Sequence, residues 1–226
     1  NDPVFSEKLA KLAEIYVNDS FAASHRSHAS IVGVPKLLPH FAGLRLQKEV
    51  EVLSKVLENP QRPLVVIIGG FKIETKLPLI EKMHHFADYV LVGGQIAKET
   101  KTLLKIQHEK LNKRSILLVA DSNTDGTDIT LESVENFLQV INSSQTIVWN
   151  GPVGKIPEGE RGSKEIAIGI SKSSAHTVVG GGDTVSFLKK EGLLDKFSFV
   201  STGGGAMLEF LSGEKLPGIE ALKIIY

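Results

Sequence analysis

Residues 176–188 read HTVVGGGDTVSFL. Thr177, Val178 and Val179 are apolar or β-branched and predict a buried strand; three glycines follow, then Asp183 and Thr184, then an apolar-periodic helix. A strand that runs through glycines into a helix presents bare backbone N–H groups at the positive end of the helix dipole. An anion, usually a phosphate, is the natural ligand there. Asp183 would repel that anion. Its carboxylate makes sense as the holder of a cation, and Mg²⁺ carried by a nucleotide is the usual one.

The same construction recurs along the chain. Leu64–Ile68 leads into Gly69-Gly70, Tyr89–Val92 into Gly93-Gly94, and Phe199–Thr202 into Gly203–Gly205, while Thr146–Trp149 ends in Asn150-Gly151-Pro152. In a parallel α/β sheet, ligands bind at the carboxyl ends of the strands. Any one of these could be a plain tight βα turn. Glycine at nearly every strand end means that the backbone must come close to something.

Composition narrows the function. Lys+Arg and Asp+Glu are both 26 in 226 residues, which argues against broad nucleic-acid or anionic-membrane binding. Cysteine is absent, so disulfides and thiolate metal sites are excluded. The longest apolar run, Leu64–Ile68, is far too short to span a bilayer, and nothing near the start reads as a signal peptide. A soluble cytoplasmic protein is expected. The chain begins at Asn1, and its methionines are Met83 and Met207, which suggests a piece of a longer gene product.

In chain order, Asp2 and Pro3 open a predicted helix over 3–14, with Phe5, Leu9 and Leu12 at helical spacing. Ile15–Val17 reads as a short strand, and 20–30 as a polar loop carrying His25, Arg26 and His28. The two histidines are weak metal-ligand candidates with no acidic partner in the segment. Arg26 is the better anion hook, though such an arginine is more often simply solvated. Gly43–Glu58 is an amphipathic helix with Leu46, Val50, Leu53 and Leu57 on one face; Asn59-Pro60 stops it.

Strands then alternate with helices. The expected strands are 64–68, 89–92, 115–120, 146–149, 177–180 and 197–202. The expected helices are about 75–85, 95–105, 130–141, 161–172 and 205–212, besides the one that follows Gly182. This predicts an α/β fold, a three-layer parallel sheet of Rossmann-like type, with part of a second α/β domain. The expected division is 1–42, a connecting helix 43–59, a nucleotide-binding domain 60–211 and a tail 212–226.

Lys72 and Lys76 lie four apart just after Gly69-Gly70. Lysine is disfavoured in a first helical turn unless a bound polyanion outweighs the dipole; two solvated lysines are the plain alternative. The Walker A pattern GxxxxGK[ST], the dinucleotide fingerprint GxGxxG and the hydrolase elbow GxSxG are all absent. Glycines, lysines, one well-placed Asp and an Arg suit phosphoryl transfer, which needs positioning and charge neutralisation.

VVGGGDT at 178–184, STGGGAMLEFLSGEKLPGIEAL at 201–222, TIVWNGPVG at 146–154, GGFKIETK at 69–76 and YVNDSFAASHRSHAS at 16–30 resemble, in order, the motifs of phosphoglycerate kinases. The resemblance implies phosphoryl transfer between 1,3-bisphosphoglycerate and ADP, giving 3-phosphoglycerate and MgATP. It implies two α/β domains joined by a long helix, here Gly43–Glu58, that close over the substrates. It also implies a cytoplasmic monomer of glycolysis with Mg²⁺ carried on ATP or ADP, acting on small molecules. Arg26 is similar to the arginine on the triose phosphate. Lys72 and Lys76 match the lysines at the nucleotide phosphates and the transferring group, with Lys72 catalytic. Gly181, Gly182, Asp183 and Thr184 match the turn that holds phosphates and metal, and Asn150 the residue near them. Gly204 and Gly205 open a helix that faces the transferring phosphate. Gly93, Gly94 and Gly126 match glycines of the nucleotide site.

The departures are local. The glutamate that commonly holds the ribose falls at Pro157, with Glu158 beside it. Gln95 replaces a third glycine, and 128–133 reads DITLES where the family has DIGPxT. The chain is short between Gly94 and Thr146, and the family's basic N-terminal segment is not within it. The competing readings are a non-catalytic nucleotide-binding remnant of this enzyme and, more remotely, a nucleotide-sugar or dinucleotide enzyme on a similar sheet. With Arg26 as the one remaining triose-binding arginine, these 226 residues are expected to turn over poorly alone, because holding both substrates accounts for about 7–11 kcal/mol of such barriers. A coupled assay with and without the upstream segment checks this; turnover near that of a full-length relative contradicts it.

Overall fold

The structure, a computed structural model, describes residues 1–70, 80, 82, 83, 85–106 and 115–222. It divides into two compact units, one formed by 1–58 with 202–226 and the other by 59–201.

The second unit is a parallel sheet flanked by helices. Its strands are β3 (Leu64–Ile68), β4 (Tyr89–Val92), β5 (Ile116–Val119), β6 (Thr146–Asn150), β7 (His176–Gly180) and β8 (Phe199–Val200), in spatial order β5-β4-β3-β6-β7-β8. All neighbours are parallel, with Leu64 opposite Thr146 and Ile68 opposite Asn150 at the centre. β3 and β6 are buried at every position, as expected of strands covered by helices on both faces. Trp149, Ile67, Leu91, Val179 and Phe137 anchor this core.

The described helices of this unit are α3 (Ile96–Ile106), α4 (Leu131–Asn142), α5 (Arg161–Lys172) and α6 (Gly182–Lys190). Thr130 caps α4 by accepting from the Ser133 N–H. α4 and α5 pack closely, and a Cβ on Gly169 would stand 2.3 Å from Leu138 Cδ2. The strand expected over 197–202 is only two residues long, although the Ser201 N–H still reaches the Val179 carbonyl. Most of the helix expected at 75–85 lies outside the described residues.

The first unit contains α1 (Pro3–Ala10), the parallel pair β1 (Tyr16–Asn18) and β2 (His40–Ala42), α2 (Leu44–Glu58), α7 (Gly205–Leu211) and α8 (Pro217–Glu220). Asp2 caps α1 through the Phe5 N–H at 2.7 Å. The helix stops at Ala10 rather than at 14, because Leu12 faces solvent at 81% exposure and has nothing to pack on. The polar loop expected at 20–30 instead holds a 3₁₀ turn at Phe21–Ala23 and, from Ala29, a π-helical turn. β2 gave no sequence signal, since HFA is too short to show a period.

Residues 202–211 were expected with the nucleotide domain but group with α2. Phe210 meets Phe21 edge-to-face at 6.2 Å, and α7 lies against α2. The buried residues of α2 are Leu46, Glu49, Val50, Val52, Leu53 and Val56, while Leu57 is only half-buried. α2 is capped from afar, by Asp19 Oδ1 accepting from the Arg45 and Leu46 N–H groups. Glu49 is fully buried: its Oε1 accepts from the Thr202 N–H (2.7 Å), the Thr202 hydroxyl (2.9 Å) and Arg45 Nη2 (3.1 Å). Val4, Phe5, Val17, Phe41 and Leu44 are large apolar side chains left exposed in this unit.

Two outcomes follow from these contacts. Glu49→Ala strands the Thr202 donors and should lower unfolding stability by about 3 kcal/mol, with Glu49→Gln losing less, by urea denaturation. Lys164, 2.7 Å from Glu191, holds that carboxyl below the usual glutamate range, and Glu191 raises Lys164. The pair's contribution is therefore present above the ordinary glutamate pKa and fades as pH falls through the lowered value. In an NMR titration, Lys164→Ala should move the Glu191 carboxyl back up.

Candidate nucleotide site

The strand order places a topological switch between β3 and β6. β3 connects onward to β4 on one side, and β6 to β7 on the other, which leaves a crevice at their carboxyl ends. Glycines with positive φ stand just beyond four neighbouring strands: Gly70 after β3, Gly94 after β4, Gly151 after β6 and Gly181 after β7. Gly69 is required for a different reason. Its N–H donates to the Asn150 carbonyl at 3.0 Å, and a Cβ there would stand 2.2 Å from the Pro152 carbonyl oxygen. The β3 turn and the β6 turn are thus pressed together at backbone distance.

The 150–160 loop is braced from below. The Trp149 indole N–H donates to the Gly151 carbonyl, and the Gly151 N–H donates to Thr184 Oγ1, both at 2.8 Å. Thr184 is fully buried, and its hydroxyl serves this brace. Asn150 is buried, with its side chain under Gly181: a Cβ on Gly181 would stand 3.4 Å from Asn150 Oδ1. A Cβ on Gly182 would meet no atom within 4 Å, so protein packing does not demand glycine there. α6 begins at Gly182 with no side-chain cap, which leaves its first-turn N–H groups to solvent or to an anion.

Asp183 lies exposed in that first turn and makes no hydrogen bond or ion pair among the described residues. No group of three or more His, Asp or Glu able to cage a metal occurs among the described residues. A lone carboxylate beside an anion-binding turn fits a Mg²⁺ that arrives on phosphates, since Mg²⁺ takes one or two carboxylates plus substrate oxygens. His25 and His28 form no such cage. No helix among the described residues is long and apolar enough to cross a membrane.

Beside the crevice, at the ends of β4 and β5, is a cleft of about 440 Å³. Gly94, Gly126, Ile129 and Val153 give it smooth walls; Lys98 and Asp125 are among its polar residues. Asp125 accepts from the Thr127 N–H and hydroxyl, which hold its carboxyl below the usual range. Asp128 ties the 121–128 loop to α5 by accepting from the Gly162 N–H at 2.8 Å. Gly93 does not line the cleft; a Cβ on it would meet Val153 Cβ at 2.6 Å, so it permits close packing. Glu158 is exposed and sits 3.6 Å from Lys155, and it is Lys155 that lines the cleft. A second hollow of similar volume lies between Pro152, Ile156, Pro157 and the α6 residues Asp183 and Phe187. The 150–160 loop is the ridge between the two.

Lys72 and Lys76 lie outside the described residues. Arg26, Gly204 and Gly205 belong to the first unit. Arg26 is exposed, with its Nε donating to His25 Nε2 at 3.3 Å. His25 Nε2 is also 3.8 Å from where a Cβ on Gly205 would stand, so Arg26 and the start of α7 share a neighbour. Sequence reading missed Glu49, Lys98, Asp125 and Asp128. Glu49 continued an i, i+3 stripe and could have been found there.

The family model for phosphoglycerate kinase matches residues 1–121 and 108–214. Phosphoglycerate kinase of Finegoldia magna is 40% identical over 265 aligned positions, covering 98% of this chain and 67% of the relative. That of Leptospira biflexa is 38% identical, covering 96% and 66%. The alignments run longer than the chain, so these relatives carry residues inside the matched span that it lacks. Among solved structures, phosphoglycerate kinase from Coxiella burnetii matches with TM-score 0.80 and 34% identity, over 98% of this chain and 68% of that one. That from Pyrococcus horikoshii matches with TM-score 0.82 and 27% identity, over 99% and 68%. This chain, which spans about two thirds of the length of these relatives, belongs to the phosphoglycerate kinase family of phosphotransferases.

Proposed function

We propose that the ends of β3, β4, β6 and β7 hold MgADP or MgATP for reversible phosphoryl transfer with 1,3-bisphosphoglycerate, giving 3-phosphoglycerate. The observation that carries this is the glycine-lined switch point, with an uncapped helix and a lone carboxylate at its edge. The base and ribose occupy the cleft beside Gly94 and Gly126, with Glu158 next to Lys155 at its rim. The phosphates reach across the ridge to the backbone of Gly181, Gly182 and Thr184, beside Asn150. Lys72 and Lys76 supply positive charge to the phosphates and to the group in flight. Arg26 grips the triose phosphate, and Gly204 and Gly205, which open α7, serve the transferring phosphate. The work is done by a cytoplasmic monomer.

An oxygen of the ADP terminal phosphate bonds to the phosphorus of the acyl phosphate as the phosphorus–carboxylate bond breaks. The carboxylate leaves with its electron pair and needs no proton. The protein has no covalent bond to form, so its part is alignment and charge neutralisation. Mg²⁺, if it arrives on the nucleotide, would supply charge neutralisation at the phosphates. Asp183 would hold it, and the stiff braces at Gly69 and Gly151 keep the N–H donors from yielding as charge moves.

Asp183→Asn should weaken MgADP binding by about tenfold or more while changing metal-free ADP binding little. Calorimetry with magnesium and with chelator checks this. Equal losses in both would remove Asp183 from the metal.

A further inference from the structure

The cleft beside β4 and β5 takes its walls from two distant parts of the chain. One wall is the 121–129 loop, with Gly126 and Ile129; the other is the 150–160 ridge, with Val153 and Lys155. One buried carboxylate, that of Asp128, lies at the seam between them. Its Oδ1 accepts from the Ile129 N–H and its Oδ2 from the Gly162 N–H, both at 2.8 Å. Its backbone is pinned by Asn123, whose N–H donates to the Asp128 carbonyl at 2.9 Å and whose Oδ1 accepts from the Asp128 N–H at 3.1 Å. Gly162 is the second residue of α5, and Glu160 gives that helix no side-chain cap. Asp128 caps it instead from 34 positions away, where the helix dipole favours a carboxylate.

The ridge is folded around this side chain. A Cβ on Gly154 would stand 2.4 Å from Asp128 Oδ1, and one on Gly162 would stand 2.6 Å from it. A Cβ on Gly159 would stand 3.0 Å from Asp128 Cβ and 2.1 Å from the Thr127 carbonyl oxygen. Beside it, the Lys155 N–H donates to that same carbonyl at 2.7 Å. Gly154 lies between Val153 and Lys155, so whatever holds Gly154 sets where both cleft-lining residues stand. Both Asp128 oxygens are engaged by backbone N–H groups, which gives the side chain a holding part. We propose that Asp128 is a positioning residue of the nucleotide site. It locks the 121–129 loop to the ridge and fixes the width of the base cleft, acting on affinity through Ile129, Val153 and Lys155. The inference rests on the reading of this cleft as the base site. A ring bound between two walls touches both, and a wall that must be ordered on binding subtracts from affinity. The turn at Gly181 has its own brace through Thr184 and Gly151 and does not depend on this seam.

Asp128→Asn keeps the size and one acceptor oxygen but turns an amide group toward the other N–H. Magnesium pyrophosphate carries the phosphates of ADP without base or ribose. Calorimetry on the 226-residue chain should show MgADP weakened about tenfold, the worth of one buried hydrogen bond to a charged group, and pyrophosphate bound as before. A substitution that merely loosens the fold would weaken both. The fluorescence of Trp149, fully buried in the core, shows whether the fold is retained. A second arm needs no variant and decides the matter if Asp128→Asn fails to fold. In hydrogen exchange, MgADP should slow the Ile129, Lys155 and Gly162 amides together, and pyrophosphate should not. Unchanged MgADP affinity, equal losses for both ligands, or protection confined to Lys155 overturns the role of Asp128 while the nucleotide site stands. MgADP bound no tighter than pyrophosphate by the unsubstituted chain overturns the base-site reading and this inference with it.

Discussion

The parallel pairing of β3 with β6 is the contact on which the second unit depends. Leu64 lies opposite Thr146 and Ile68 opposite Asn150, although the β4 and β5 segments intervene in the chain. That pairing sends successive connections outward in opposite directions. The strand ends at the centre are therefore uncovered by their own crossovers, and the crevice there is a consequence of topology. Gly69 makes the pairing possible at its upper end, because any side chain would run into the Pro152 carbonyl. The burial of both strands on every face fixes the register beneath the crevice, so the backbone donors above it inherit the stiffness of the core.

The loop after β6 shows how a rigid floor is converted into a site. Trp149, the largest fully buried side chain, spends its one indole donor on Gly151. Thr184 closes the other side through the Gly151 N–H. With both polar groups of Gly151 engaged, the loop is held as a ridge, and the hollows on its two sides have fixed walls. Phosphoryl transfer asks little more of a protein than this, since the chemistry lies in the substrates and the catalyst contributes geometry and charge.

The first unit is held by a different device. Glu49 is an acid placed in an apolar stripe, and it is tolerated because Thr202 and Arg45 surround one of its oxygens with donors. That bond joins α2 to the segment entering α7. It explains why residues far apart in sequence form one unit and why the chain divides after Ser201 rather than at 211.

The sequence by itself determined the class of fold, most element positions and the glycine-rich strand ends. These are local properties: a five-residue apolar run, a helical period or a glycine turn is written in neighbouring residues. The α5 span at 161–172 and the Asp2 cap were readable for that reason. The strand order, and with it the crevice, came only from the tertiary structure, because non-local pairing leaves no trace in a local window. β2 and the short β8 were too brief to show a period. Thr184 took a part that no local window shows, its buried hydroxyl accepting from the Gly151 N–H, because burial is decided by what packs against a residue. Lys98 and Asp125 lie 27 positions apart in separate βα connections, and only the adjacency of β4 and β5 brings them to one cleft.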